Sequence, residues 1–167
     1  WMEEKVKSNW IFLGLTYLHL LIWNTLTTWW IWHASGPGAI AAIGTNSLLM
    51  CLPWIGYRYF KNRKGIRIGL FSLIAGWMSF EYLHLQDWGL SWPWLTLGNG
   101  LATQPNWIQW YEYTGVFGGS IWILAANILL FRWIHSVWIQ KNKKFIKFKY
   151  KSSTFRKFNT SLSRLIA

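Results

Sequence analysis

Apolar residues fill two long intervals of the chain that contain no Lys or Arg, residues 8–57 and 68–131. One membrane crossing needs roughly 20 apolar residues, so each interval is long enough to cross a bilayer and return. Each interval also contains a segment that breaks an apolar helix, at residues 35–38 and 86–113. The pattern therefore predicts an all-α membrane protein, a bundle of about four transmembrane helices with two outward connections.

The predicted spans cover about residues 10–32, 39–57, 66–85 and 114–139. They form one polytopic membrane domain, residues 1–139, followed by a basic tail, residues 140–167. The connection at residues 86–113 contains five Trp with Gly and Pro, and its only charged residues are Asp87 and Glu112. Such a segment is too aromatic for an ordinary solvated loop, so we expect it at the outer surface or re-entering partway into the membrane.

Composition and charge then set the orientation of the spans. Of the residues, 53% are hydrophobic and 20% aromatic, and the 17 Lys and Arg fall in three clusters, at residues 5–7, 58–67 and 132–164. All three clusters lie on one predicted side of the membrane, which the positive-inside tendency assigns to the cytoplasm. The basic, aromatic tail has the composition of a nucleic-acid-binding segment, but attraction to anionic headgroups explains it better, and no nucleic-acid partner is expected.

Glu81, near the outer end of the third span, is the first candidate for a functional residue. A carboxylate in such apolar surroundings is costly, so an intramembrane acid is a functional-site candidate by default. His84 is three residues further on, on the same helical face, and is a possible partner. The alternative is a purely structural hydrogen-bond network. This Glu-x-x-His pair offers too few ligands for a metal, and none is expected.

No complete catalytic set is visible in the sequence. Cys51 lies in an apolar run of the second span and is best interpreted as a small buried hydrophobic residue. No cation or histidine lies near it in the sequence to lower the pKa of its thiol, no phosphate-binding glycine loop is present, and no cofactor is expected. A rival interpretation is a non-enzymatic polytopic membrane subunit or transporter fragment, in which Glu81 and Asn46 would mark a polar pathway.

The aromatic stretch at residues 90–99 has two interpretations. Trp favours the headgroup region whatever the function, so the stretch is in the first place a surface anchor. In the second interpretation it walls a lipid-binding cavity, where the indole N–H groups of Trp92 and Trp94, or the amide of Asn99, contact a headgroup. On these residues alone the anchor is favoured.

Three motifs within residues 80–115 carry a resemblance to a known protein family. The sequence Phe-Glu-Tyr-Leu at residues 80–83 is followed by Ser-Trp-Pro-Trp-Leu-Thr-Leu-Gly at 91–98 and by a Gln-x-x-x-x-x-Gly segment at 109–115. Together they resemble the amino-terminal membrane region of the apolipoprotein N-acyltransferases, in a form similar to that of Bacteroidetes-like bacteria. The resemblance covers roughly residues 10–131.

The resemblance implies a bacterial inner-membrane acyltransferase of lipoprotein biosynthesis. Its partners would be a phospholipid acyl donor and a diacylated lipoprotein acceptor, whose terminal cysteine receives the acyl chain on its amino group. In that family an active cysteine, assisted by a Glu and a Lys, belongs to a nitrilase-like domain after a further span. That domain is absent from this sequence, so we expect a fragment that is inactive alone, with no catalytic residue in this chain.

Six residues are candidates for binding or positioning a substrate. Glu81, Trp92, Pro93, Trp94 and Gly98 match motif positions of the family, and the resemblance implies that they line or shape the side of lipid access. Asn99 adjoins them as a candidate headgroup contact. Ser91 departs from the pattern, because members of the family often have Gly before the aromatic-Pro-Trp turn.

Overall fold

The computed structural model describes residues 5–86, 89 and 92–165, with side chains as far as residue 139. Within these residues the regular structure is helical, without strands. The principal helices are α1 (Asn9–Thr28), α2 (Gly36–Leu49), α3 (Cys51–Lys64), α4 (Ile66–His84) and α5 (Tyr111–Leu165). Four segments are long and apolar enough to cross a membrane, namely Asn9–His33, Gly36–Lys64, Ile66–His84 and Tyr111–Ile139. The predicted all-α fold with four potential transmembrane helices is thereby confirmed.

The chain divides into two compact units, Trp1–Ile121 and Trp122–Ala167. The second unit is the continuation of α5, which is helical as far as Leu165 and carries exposed apolar side chains such as Leu129 and Trp133. The first unit contains α1 to α4, the aromatic connection and the start of α5. Every residue of the candidate site with a described structure lies in this first unit.

Serine caps and a proline set the helix boundaries in the first half of the chain. The side chain of Ser8 accepts from the Ile11 N–H at the start of α1, and that of Ser35 accepts from the Gly38 N–H at the start of α2. The second span is interrupted at Met50, between α2 and α3. Pro53 follows in the first turn of α3, where its missing N–H leaves the preceding helical ladder incomplete.

Helices α3 and α4 form a hairpin that packs through glycine. A Cβ atom at Gly69 would lie 2.7 Å from the Cβ of Lys61, and one at Gly76 would lie 3.4 Å from the Cα of Pro53. Gly65, which joins the helices, has a φ of 89°, a conformation that favours glycine. Absent side chains thus allow the two backbones to approach closely, as small residues do between membrane helices.

A network of amide side chains joins α1 to α2. The Nδ2 group of Asn46 donates to Oδ1 of Asn24 at 2.8 Å, and Nδ2 of Asn24 donates to Oγ of Ser47 at 3.0 Å. All three side chains are buried. Polar groups that pair with one another in this way avoid the cost of exposure to hydrocarbon.

Arg58 connects α3 to the segment that precedes α1. Its Nε donates to Oδ1 of Asn9 at 2.9 Å, and its Nη2 donates to the carbonyl of Val6 at 2.8 Å. The guanidinium lies 4.5 Å from the ring centre of Phe12. These contacts stabilise the buried charge, because carbonyl oxygens and an aromatic face surround it.

Large apolar side chains face outward along the helices of the first unit. Trp10 is 82% exposed, Leu26 72% and Phe71 70%. Water-soluble proteins seldom expose so many large apolar side chains, whereas lipid accommodates them. The pattern of exposure therefore agrees with a helical protein that lies in a membrane.

Candidate functional site

The predicted site residues converge on an irregular segment between α4 and α5. This segment, residues 92–98, is called the aromatic turn below. It contains a short 3-10 helix at Pro93–Leu95 and leads into another at Leu97–Leu101. Its backbone cannot complete a regular hydrogen-bond ladder, so its N–H and C=O groups depend on side chains from elsewhere.

Glu81 holds the start of the second 3-10 helix. Its Oε1 accepts from the backbone N–H of Leu97 at 2.8 Å and from the indole N–H of Trp77 at 3.0 Å. The Glu81 side chain is only 2% exposed, and its Oε2 is buried without a hydrogen-bond partner among the described residues. The carboxylate therefore caps an otherwise orphaned backbone donor.

His84 holds the other end of the turn. Its Nδ1 accepts from the backbone N–H of Trp92 at 2.9 Å, and its ring packs on Phe80 with centroids 4.3 Å apart. Glu81 and His84 thus each accept from a different backbone N–H of the turn, and their direct pairing stays a prediction. Their spacing on one face of α4 brings both side chains to the same segment.

Gly98 is fixed from the side of α5 through both of its backbone groups. Its N–H donates to Oγ of Ser120 at 2.9 Å, and its C=O accepts from the Tyr111 hydroxyl at 2.9 Å. A Cβ atom at this position would overlap the carbonyl oxygen of Val116. Only glycine therefore fits here, which gives the glycine of the family pattern a physical role.

The start of α5 is shaped by another glycine. Gly115 has a φ of 64° and a ψ of −173°, which interrupts the helix between Tyr111 and Val116. Side chains with a Cβ atom rarely adopt this conformation. The interruption belongs to the segment that presents both Tyr111 and Ser120 to Gly98.

The remaining predicted residues lie on the surface of the turn. Trp94 is 66% exposed and contacts Trp30 edge to face, with centroids 6.2 Å apart. Pro93 and Asn99 are also exposed, and Trp92 is half-buried. The structure thus brings the predicted residues together as a buried support, formed by Glu81 and Gly98, and an outer aromatic surface. Ser91 lies outside the described residues.

A half-open cavity of about 320 Å³ adjoins the turn. Trp92 forms part of its wall, and the rest is mainly the face of α2 that carries Ala41, Ala42, Thr45, Asn46 and Leu49. Trp94 and Asn99 do not line it. Within the described part of the aromatic stretch, Trp92 therefore walls a cavity together with α2.

Sequence reasoning missed three residues that support the turn, namely Trp77, Tyr111 and Ser120. Trp77 is one helical turn before Glu81, a spacing that signals a side-chain pair. Tyr111 and Ser120 carried no local signal, because their partner Gly98 is distant in sequence. Cys51 is buried and donates from Sγ to the Ser47 carbonyl at 3.3 Å, as a structural residue would. Among the described residues no three His, Cys, Asp or Glu are grouped to hold a metal.

Fold and site together define a polytopic helical membrane domain with a fixed aromatic turn between two of its potential spans. Residues 1–129 match the family model described as the apolipoprotein N-acyltransferase N-terminal domain. An apolipoprotein N-acyltransferase from Chlorobaculum tepidum is 32% identical over 119 residues, which cover 71% of this chain and 22% of that relative. No solved structure gives a significant match.

The chain belongs to the apolipoprotein N-acyltransferase family and corresponds to its N-terminal membrane region. The predicted family is thereby confirmed, and with it the association with acyltransferases of lipoprotein biosynthesis. The aligned region represents 22% of the Chlorobaculum tepidum protein, so the chain spans a minor part of the relative that it matches.

Proposed function

We propose that this chain is the membrane platform of an apolipoprotein N-acyltransferase. In the proposed reaction an acyl chain moves from a phospholipid to the amino terminus of a diacylated lipoprotein cysteine. The platform positions the lipid substrates, and the bond-breaking groups belong to another part of the enzyme. The observation that carries the proposal is the aromatic turn, whose backbone is held by Glu81, His84, Tyr111 and Ser120.

Rigid support of this kind suits a surface that must contact lipid in one orientation. Backbone amides at Trp92, Leu97 and Gly98 are bonded to side chains of two helices, while Trp94 projects from the turn with most of its surface free. An indole combines an apolar body with one N–H donor, which suits the boundary between acyl chains and headgroups. The geometry thus supports a lipid-positioning role for Trp94.

The transporter alternative has less support. In that alternative Glu81 and Asn46 mark one polar pathway. Glu81 bonds to Trp77 and Leu97, however, and Asn46 bonds to Asn24, so the two side chains belong to separate hydrogen-bond networks. The family assignment adds to this argument, since it associates the chain with acyl transfer.

The proposal is tested by Trp94→Ala in a full-length enzyme that carries this region. Acyl transfer to a diacylated lipoprotein should fall at least tenfold, because the lipid loses its aromatic contact at the turn, while the amount of enzyme in the membrane stays the same. Trp94→Phe should retain part of the activity. The matched control is Trp133→Ala, which removes an indole of similar exposure, 64% against 66%.

Unchanged turnover in Trp94→Ala would contradict the role of this residue. A loss of equal size in Trp133→Ala would instead show that acyl transfer responds to any exposed indole. In either case the turn would be a membrane anchor rather than a part of the lipid site.

The proposed location is the bacterial inner membrane, with the basic connections in the cytoplasm. The support is the joint between α3 and α4, where Lys61, Arg63 and Lys64 occupy the last turn of α3. A cysteine introduced at Lys64, in a Cys51→Ala background, should resist a membrane-impermeant thiol reagent in intact spheroplasts and react after lysis. Labelling in intact spheroplasts would reverse the proposed orientation.

A further inference from the structure

The hydrogen bonds that fix the backbone of the aromatic turn do not fix the side chain of Trp94. The bonded amides of Trp92, Leu97 and Gly98 restrain the main chain on either side of it. The Trp94 side chain is 66% exposed, and a fixed backbone leaves such a side chain several staggered rotamers. The direction of the indole therefore depends on what its ring contacts.

The ring of Trp94 contacts a residue from a distant part of the chain. Its indole meets the indole of Trp30 edge to face, with centroids 6.2 Å apart and ring planes at 82° to each other. Aromatic pairs favour this arrangement, because the positive edge of one ring lies against the negative face of the other. The contact thus selects one orientation of Trp94 among those that its exposed position allows.

Trp30 itself belongs to a restrained segment. It lies in the 3-10 helix Trp29–His33, which connects α1 to α2. The Ile31 carbonyl accepts from the N–H of Ser35 at 3.1 Å, and the side chain of Ser35 then caps α2. The buried amide network described above joins α1 to α2, so the connection is held at both ends. Trp30 therefore offers Trp94 a fixed surface.

The neighbour of Trp30 provides an internal comparison. Trp29 lies in the same 3-10 helix and is 60% exposed, but its ring meets that of His33, with centroids 5.7 Å apart. The two indoles share a place in the sequence and differ in the ring that they contact. An effect of Trp30 that Trp29 does not share is therefore attributable to the contact with Trp94.

We propose that Trp30 is a positioning residue for the lipid substrate, which acts by holding the Trp94 indole in the orientation that meets the lipid. This inference rests on the proposed function, in which Trp94 contacts the lipid. The connection between α1 and α2 is then a third support of the site. Helices α4 and α5 hold the backbone of the turn, and Trp30 holds its exposed side chain.

Steady-state kinetics of a full-length enzyme that carries this region test the proposal. In Trp30→Ala the KM for a phospholipid donor should rise about two- to tenfold, the ratio that one aromatic pair provides, while kcat is unchanged. The rise is confined to KM because the indole must be ordered when the lipid binds and stays ordered during the chemical step. Trp30→Phe keeps an aromatic ring and should retain most of the affinity. Trp29→Ala is the matched control and should leave KM unchanged.

A double variant separates positioning through Trp94 from an independent role. Trp30→Ala combined with Trp94→Ala should be no worse than Trp94→Ala alone, because Trp30 then has no indole left to hold. A second rise of KM by the full factor would overturn the inference, since Trp30 would act on the lipid without Trp94.

Fluorine NMR follows the orientation of the Trp94 ring without any measurement of activity. In the chain labelled with fluorotryptophan, the Trp94 resonance is identified by its loss in Trp94→Phe. Trp30→Leu should shift or broaden this resonance, because the neighbouring ring is removed, whereas Trp29→Leu should leave it in place. A Trp94 resonance that Trp30→Leu does not change would overturn the inference.

The kinetic outcomes distinguish this inference from the proposed function. An unchanged KM in Trp30→Ala, or an equal rise in Trp29→Ala, beside a deficient Trp94→Ala would reject the role of Trp30 and keep that of Trp94. Full turnover in Trp94→Ala would reject the proposed function and, with it, the role of Trp30 toward the lipid.

Discussion

The α3–α4 hairpin and the aromatic turn are held together in opposite ways. In the hairpin, Gly69 and Gly76 remove side chains so that two regular helices approach closely. In the turn, the backbone is irregular, and side chains of Glu81, His84 and Ser120 accept from its N–H groups while Tyr111 donates to a carbonyl. One region depends on the absence of atoms, the other on individual hydrogen bonds.

The difference follows from the solvent. A regular helix satisfies its own backbone, so helix pairing in lipid is limited mainly by how closely the surfaces fit. An irregular segment has orphaned N–H and C=O groups, and in apolar surroundings each must find a partner. We therefore expect the hairpin to respond to added volume and the turn to respond to lost acceptors or donors.

Glu81→Leu should have the largest effect. It leaves the Leu97 N–H and the Trp77 indole N–H without acceptors, at a cost of about 2–6 kcal/mol in the free energy of unfolding. Glu81→Gln keeps an acceptor oxygen at a similar position, so its free energy of unfolding should fall much less. Unfolding by SDS in mixed micelles measures both, and equal loss in the two variants would show that the charge matters more than the acceptor.

Gly69→Ala should weaken the hairpin by about 2–3 kcal/mol, because the new methyl group meets the Cβ and backbone of Lys61. Gly14→Ala is the control, since a Cβ at Gly14 has no atom within 4 Å and alanine favours a helix. The same SDS titration should show no loss in that variant. A hairpin that tolerates Gly69→Ala would argue against close approach of the two backbones.

Ser120→Ala should lower the free energy of unfolding by about 1–2 kcal/mol, because the buried Gly98 N–H loses its acceptor. Ser136→Ala is the matched control, since that serine is exposed and its hydroxyl bonds only to the carbonyl of its own helix, at Trp133. Thermal unfolding in detergent compares them. Equal stability of both variants would mean that Gly98 is not held by Ser120.

Tyr111→Phe should have the smallest effect, about 0.5–1.5 kcal/mol, because a carbonyl with a lost donor is less costly than an orphaned N–H. The double variant with Ser120→Ala sharpens the result. Both side chains bond to Gly98, so their effects should not add. Strict additivity in thermal unfolding would indicate that the two bonds act on separate structures.

The sequence predicted the helices better than the connections between them. Long intervals without Lys or Arg indicated four spans, since hydrocarbon excludes charge. Arg58 shows the limit of that reasoning. Its guanidinium is buried and donates to Val6 and Asn9, and the charge pattern does not reveal such contacts between distant segments. The bounds of the predicted spans stay predictions.

For the candidate site, the sequence predicted the members but not their roles. Glu81 was recognised because an acid in an apolar helix is unusual, and Gly98 because it matches the family pattern. Neither observation reveals that Glu81 accepts from the Leu97 N–H or that Gly98 lies against Val116. These facts depend on how α4, the aromatic turn and the start of α5 pack, which periodicity and spacing do not specify.

Amide hydrogen exchange in lipid nanodiscs tests the central claim most directly, that side chains fix the backbone of the aromatic turn. The amides of Trp92, Leu97 and Gly98 should exchange slowly, as those within α4 do, and Glu81→Leu should release Leu97 first. Fast exchange of all three amides in the unmodified chain, with α4 still protected, would contradict the account.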